Sequence, residues 1–335
     1  GTGNMVLGGQ SWHIINGDGQ ANGAGKAVGD SLTLKAPGNI VIAGRIGFAE
    51  PGQTLYPQDP LEGLSVQGIE VSPGVFNLPD DVSFMGEIIL HGDLTINASG
   101  TVRFAEAVNI VGGNLTVLGA ERVIFESGLS VKSANGAGGS ITLEADEIDF
   151  AGGAQSVLGT GVLTLRATTL GQGVELGDPA FSEPNRLNLD SKDLRALVNG
   201  FSGVVVGHET AGHAVAGAGE VRIGSLATPL IWDDLSVFGG SIVVADAPGN
   251  TSYALRVAGD IKLDAVNNIT LQNRIEAGWQ TRPDVALQSA PGRVLQSNAA
   301  GTLGDAATFH ALLADTLPVH SAAAAATRSF CGHPS

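Results

Sequence analysis

Residues 208–213, HETAGH, hold two histidines and a glutamate at nearly the spacing a zinc protease uses. That chemistry needs both histidines on one helix face, four residues apart, with the glutamate as base for a metal-bound water. Here His208 and His213 are five apart, flanking Glu209 in Gly-bounded text after GVVVG. A solvent-facing corner between strands is the expectation. GQANGAGKAV, residues 19–28, has the outline of a phosphate loop. A Walker loop requires Gly five residues before its Gly-Lys pair and Ser or Thr after it, but Gln20 and Ala27 stand there. It reads as a Gly-rich loop.

Carboxylates come in pairs at Asp80–Asp81 and Asp233–Asp234, with Asp146 beside Glu147. Glycoside hydrolysis needs two carboxylates facing each other across the scissile bond. Neighbours in a strand point to opposite faces, so none of these pairs is an acid–base couple by itself. NGDGQANG (16–23) echoes a calcium loop but lacks the closing Glu. We assign no catalytic, cofactor-binding or metal-ligating residue, and expect calcium binding only as an incidental effect of charge. Trp12, Trp232 and Trp279 are too scattered for a sugar-binding stripe and suit core or end-cap packing.

The elements that would carry such residues are short strands. Leu94-Thr-Ile, Val102-Arg-Phe and Val108-Asn-Ile recur 21 positions later as Leu115-Thr-Val, Val123-Ile-Phe and Leu129-Ser-Val. Val82-Ser-Phe precedes this series, and Ile141-Thr-Leu, Ile148-Asp-Phe and Leu163-Thr-Leu follow it. The Gly-rich NGAGG at 135–139 accounts for the one longer step. Most of the tripeptides alternate apolar, polar, apolar, the period-2 signature of half-buried strands. Three strands restated at a constant interval predict a right-handed parallel β-helix, with about 21 residues per coil. The centres (Thr95 and Thr116, Arg103 and Ile124, Asn109 and Ser130) should face outward. Asn39, Asn114 and Asn268 fall at predicted corners, where stacked amides can form ladders.

The β-helix is expected over 1–283, less regularly over 1–80. Three prolines in 48–63 indicate an excursion from it. LNLDSKDLRALVNGFSGVVVG (187–207) interrupts the strand text. It predicts a short helix near 190–198, capped by Asp190 or Ser191, with Leu194 and Leu197 inward and Gly200 ending it. The tail, 284–335, is expected to be irregular or helical, with AATFHALLADTL (306–317) suiting a helix.

Composition agrees with an all-β fold. Among 335 residues there are 49 Gly and 43% hydrophobics, but only 5% aromatics and 15% charged residues. A net charge of −16 excludes nucleic acid as a natural partner. The single cysteine, Cys331, provides no disulfide framework. No apolar run is long enough for a transmembrane helix. The start at Gly1, with no signal-like region, reads as a piece of a longer chain.

The phrases GNIVIAG, GGNLTV, GGSITLEA and GDIKLDAVNNITL resemble filamentous-haemagglutinin-like repeat proteins and the giant repeat-rich surface adhesins of proteobacteria. The segment 187–207, followed by GHAVAGAGEVRIG and DLSVFGGSIVV, is similar to a recurring unit of those chains. The resemblance covers roughly 30–275. It implies a right-handed β-helix, secretion to the bacterial cell surface and a non-catalytic role in attachment or matrix. Expected partners are a host or matrix surface, glycans, or further copies of the chain stacked end to end. A polysaccharide lyase or hydrolase is the alternative. An ice-binding solenoid is a third, disfavoured because Thr33, Thr95, Thr116, Thr142 and Thr164 occur singly rather than as T-x-T.

Overall fold

The computed structural model describes residues 81–90, 92–136, 138–177, 185–224, 230–245, 254–273 and 275–277, and the backbone of further strands toward both ends. Two compact units make up the chain: 1–168 with 195–203, and 169–194 with 204–335. Both are all-β and built from parallel sheets, apart from one antiparallel hairpin, and the described residues include one short helix.

In the first unit each strand pairs in parallel with its counterpart one repeat later. Leu94, Thr95 and Ile96 lie opposite Leu115, Thr116 and Val117, which lie opposite Ile141, Thr142 and Leu143. Val82–Phe84, Thr101–Phe104 and the end of Leu115–Phe125 stack likewise, Phe on Phe. A second sheet runs through Ile88–Leu90, Val108–Val111, Leu129–Lys132 and Val157–Gly159. The alternation decides which way each side chain points. Leu94, Ile96, Val102 and Val108 are fully buried, whereas Thr95, Arg103, Asn109 and their equivalents Thr116, Ile124 and Ser130 are half-exposed. Burying each such aliphatic side chain contributes about 1.5–3 kcal/mol.

One prediction for this unit needs correction. The first two strands of a repeat fuse into the 11-residue Leu115–Phe125 and the 10-residue Ile141–Phe150. Gly119, at φ +75°, carries the chain through the bend between the two parts, where the pairing register also shifts. The chain need not break hydrogen bonding there, because a bulge turns the strand instead.

At the corners the sequence forces close backbone approach. A Cβ on Gly113 would lie 1.9 Å from Gly92 carbonyl atoms, so only glycine lets the two repeats close up there. Each following residue then offers a side-chain acceptor to the next repeat. Asp93 Oδ1 accepts from Asn114 N and Nδ2, Asn114 Oδ1 from Ser140 N, and Ser140 Oγ from Val162 N. The expected asparagine ladder is therefore a mixed Asp–Asn–Ser ladder.

In the second unit Leu235–Gly239 pairs with Ile261–Ala265, and Glu220–Ile223 with Ser241–Val244 and then Ile269–Leu271. Asp234 Oδ1 accepts from Asp260 N, repeating the corner device. The tail differs from expectation. Asp284–Ser289 and Thr308–Leu313 are strands that extend this sheet in parallel, not a helix or irregular chain. Ala and Leu are strong helix formers, but propensity is a small energy per residue, and an open sheet edge supplies backbone partners that override it. Residues 314–335 lie outside the described residues, as do Asn39 and most of 48–63.

The predicted helix forms as Ser191–Ala196 and ends two residues earlier than expected. Asp190 Oδ1 accepts from Lys192 N and Asp193 N, while Asp193 Oδ2 accepts from Asp190 N, a reciprocal capping arrangement. Leu194 and Leu197 are buried as predicted. The helix stops early because Leu197 bridges Val157 and Val198 N donates to Val157 O, so the backbone is taken by a strand edge.

Candidate functional site

The HETAGH residues do not converge on a metal. Glu209–Thr210 and His213–Ala214 form an antiparallel hairpin, with Ala211 at φ +52° and Gly212 at φ +78° in its two-residue turn. Glu209 Oε2 accepts from Gly212 N at 2.7 Å, so its carboxylate caps a turn. His213 is 59% exposed, and its Nδ1 lies 3.2 Å from Asp264 Oδ2. Among the described residues no group of three or more His, Cys, Asp or Glu is arranged to hold a metal ion.

The acidic pairs have structural uses. Asp81 Oδ1 accepts from Thr101 N, and Asp234 serves its corner as above. Glu147 is paired in register with Arg122, which bonds Asp149 through Nε at 2.7 Å. Asp146 and Glu147 are both half-exposed on one strand and form no facing couple. Asp80, the phosphate-loop echo at 19–28, the calcium-loop echo at 16–23, Trp12, Trp279 and Cys331 lie outside the described residues. Trp232 is half-buried.

Two charged clusters escaped the sequence reading. On the outer face of the second unit, Arg186–Asp190 pairs with Gly173–Gly177, which pairs with Glu220–Ile223. Arg186 reaches across Gly173 to Glu220 Oε1 at 3.2 Å, and its Nε lies 3.8 Å from Glu175 Oε1. A Cβ on Gly173 would sit 2.7 Å from the guanidinium, so the missing side chain is what admits it. Arg222 Nε lies 3.8 Å from Glu220. Glu175 is only 2% exposed despite its outward parity. Two carboxylates and two guanidiniums on adjacent strands thus neutralise one another. That arrangement holds a sheet together and keeps both carboxylates engaged.

The second cluster is Asp264, 4% exposed, with His213, Ala214 and Lys262 around it. Neither cluster has a signature in local sequence, because each joins separate strands: Arg186 meets Glu220 from 34 residues away, and His213 meets Asp264 from 51.

On the first unit Thr33, Ser65, Thr95, Thr116, Thr142 and Thr164 occupy one register row across six strands, and the last four are half-exposed, a hydroxyl ladder. The ladder is a single column. Beside it run pairs such as Arg166–Glu144 at 2.8 Å.

The chain matches no family model, no curated protein and no solved structure. No helix among the described residues is long and apolar enough to cross a membrane.

Proposed function

We propose that the chain is a right-handed parallel β-helix module of a secreted bacterial surface protein of the filamentous-haemagglutinin-like kind, serving attachment or fibre formation without catalysis. The observation that carries this reading is the register of the first unit. Inward positions remain aliphatic or Phe from strand to strand, while outward positions exchange Asn for Ser and Arg for Ile. Such a pattern holds the stack constant and leaves the surface free to vary, as a scaffold requires. A stack of this kind gains stability with each repeat and presents long faces for contact. Further copies joined end to end, a matrix surface or glycans are the partners this surface suits.

Among the described residues, the Arg186–Glu175–Glu220–Arg222 cluster is the feature that favours the alternative, a polysaccharide lyase or hydrolase. Its carboxylates sit on adjacent strands, as a solenoid enzyme would place them, yet each faces a guanidinium of its own chain.

One experiment separates the two. The purified chain is incubated with a panel of acidic and neutral polysaccharides, and retention and release of reducing ends are both measured. Retention or self-assembly with no released ends supports the scaffold. Release that disappears in Glu220→Gln overturns it.

A further inference from the structure

We propose that the hairpin Glu209–Ala214 is a clasp that staples three successive strands of the second unit, and that it closes only once the third strand is in place. The strands are Gly203–Gly207, Leu235–Gly239 and Ile261–Ala265, paired in that order. Gly207, Phe238 and Asp264 share one outward register row.

Phe238 and Asp264 have the parity of surface residues, yet each is only 4% exposed. The hairpin covers them, because His213–Ala214 packs against both of their strands. The chain reaches this position through Gly207, at φ +93°. A Cβ there would lie 1.9 Å from Phe238 O, so the backbone leaves the sheet directly over the next strand. The tight turn at Ala211 and Gly212 then sends it back.

Two residues of the third strand fasten it. Asp264 accepts from Ala214 N through Oδ1 at 3.2 Å and contacts His213 Nδ1 through Oδ2 at 3.2 Å. Lys262 Nζ donates to Gly212 O, lies 3.6 Å from Asp264 Oδ2, and sits 5.1 Å from the Phe238 ring centroid. A buried carboxylate and a lysine thus engage the returning arm and the turn of the hairpin. These anchors follow the hairpin by about 50 residues in sequence. Until Ile261–Ala265 is added, the hairpin can rest on Leu235–Gly239 but lacks its carboxylate and lysine anchors. Once fastened, peeling away the third strand requires breaking the clasp as well as the sheet pairing.

Native-state hydrogen exchange on the full chain tests this with Asp264→Ala. Loss of a buried charged anchor should accelerate exchange at 236–239 and 262–264 by about tenfold or more, with 94–97 in the first unit unchanged. Acceleration confined to 210–214 would show a passive hairpin and overturn the proposal. Amine labelling of the unmodified chain gives a second reading that does not depend on the variant folding. Lys262 should react several-fold more slowly than the exposed Lys132 and Lys192. Equal reactivity of all three overturns the clasp.

Discussion

Phe104 stacks on Phe125 with ring centroids 4.6 Å apart and planes only 5° from parallel. Phe84 continues the column at 4.9 Å and Phe150 at 5.8 Å. The spacing of the first two contacts is that of neighbouring strands, so the rings follow the backbone step and fill the interior of the first unit at one depth. A phenylalanine at the same position of each repeat therefore makes a column, which no isolated strand would reveal.

Phe125→Ala should remove both the burial and the two stacking contacts. Equilibrium denaturation is expected to show a loss of about 3–5 kcal/mol. Ile124→Ala, one residue away on the outward face, should lose less than about 1.5 kcal/mol. Similar losses at both positions would contradict the assigned parity.

Gly159 supports Phe201, whose Cε1 would lie 2.1 Å from a Cβ placed there. Gly159→Ala should lower stability by about 1–3 kcal/mol through overpacking. Combining it with Phe201→Leu should recover part of the loss, and a double-mutant cycle measures the coupling. Strict additivity would show that the ring does not rest on Gly159.

Arg186→Met should cost about 3–5 kcal/mol, because it strips a guanidinium from the side of a carboxylate that is 2% exposed. Converting Glu175 to Gln in the same chain should restore much of it, since the uncompensated charge is then gone. If the double variant melts as low as Arg186→Met, the cost is one of packing and not of charge.

The exposed pairs should behave oppositely. Arg103 and Glu126 form two hydrogen bonds at 2.7 and 2.8 Å, but their side chains are 33% and 39% exposed. Arg103→Ala is expected to cost less than about 1 kcal/mol. That difference should shrink further in molar salt. A large, salt-insensitive loss would contradict this assignment.

Much of the first unit was legible in its tripeptides, because parallel register depends on which residues point inward and alternation records that directly. The corner asparagine was legible for the same reason, though Asp93 and Ser140 do the same job with different chemistry. The short helix could be read from Asp190, Leu194 and Leu197, all local signals. Its end could not, since Val157 competes for the backbone from 40 residues upstream. The burial of Glu175 and Asp264 was hidden as well. Both alternate like surface residues, and only distant groups cover them: Arg186 crossing a glycine, and a hairpin from two strands earlier. The tail, expected to be irregular or helical, could not be read as strand because propensity is local, whereas the partner that makes Thr308–Leu313 a strand is Asp284–Ser289.

The central claim is a stack of parallel repeats, and the hydroxyl ladder offers the most direct measurement of it. Spin labels at Thr33→Cys and Thr164→Cys, in a chain carrying Cys331→Ser, should lie about 24 Å apart, five strand spacings of about 4.8 Å. Labels at Thr95→Cys and Thr164→Cys should lie about 14 Å apart. Narrow distance distributions in that ratio support the stack. A Thr33–Thr164 distance beyond about 40 Å, or one shorter than the Thr95–Thr164 distance, would contradict it.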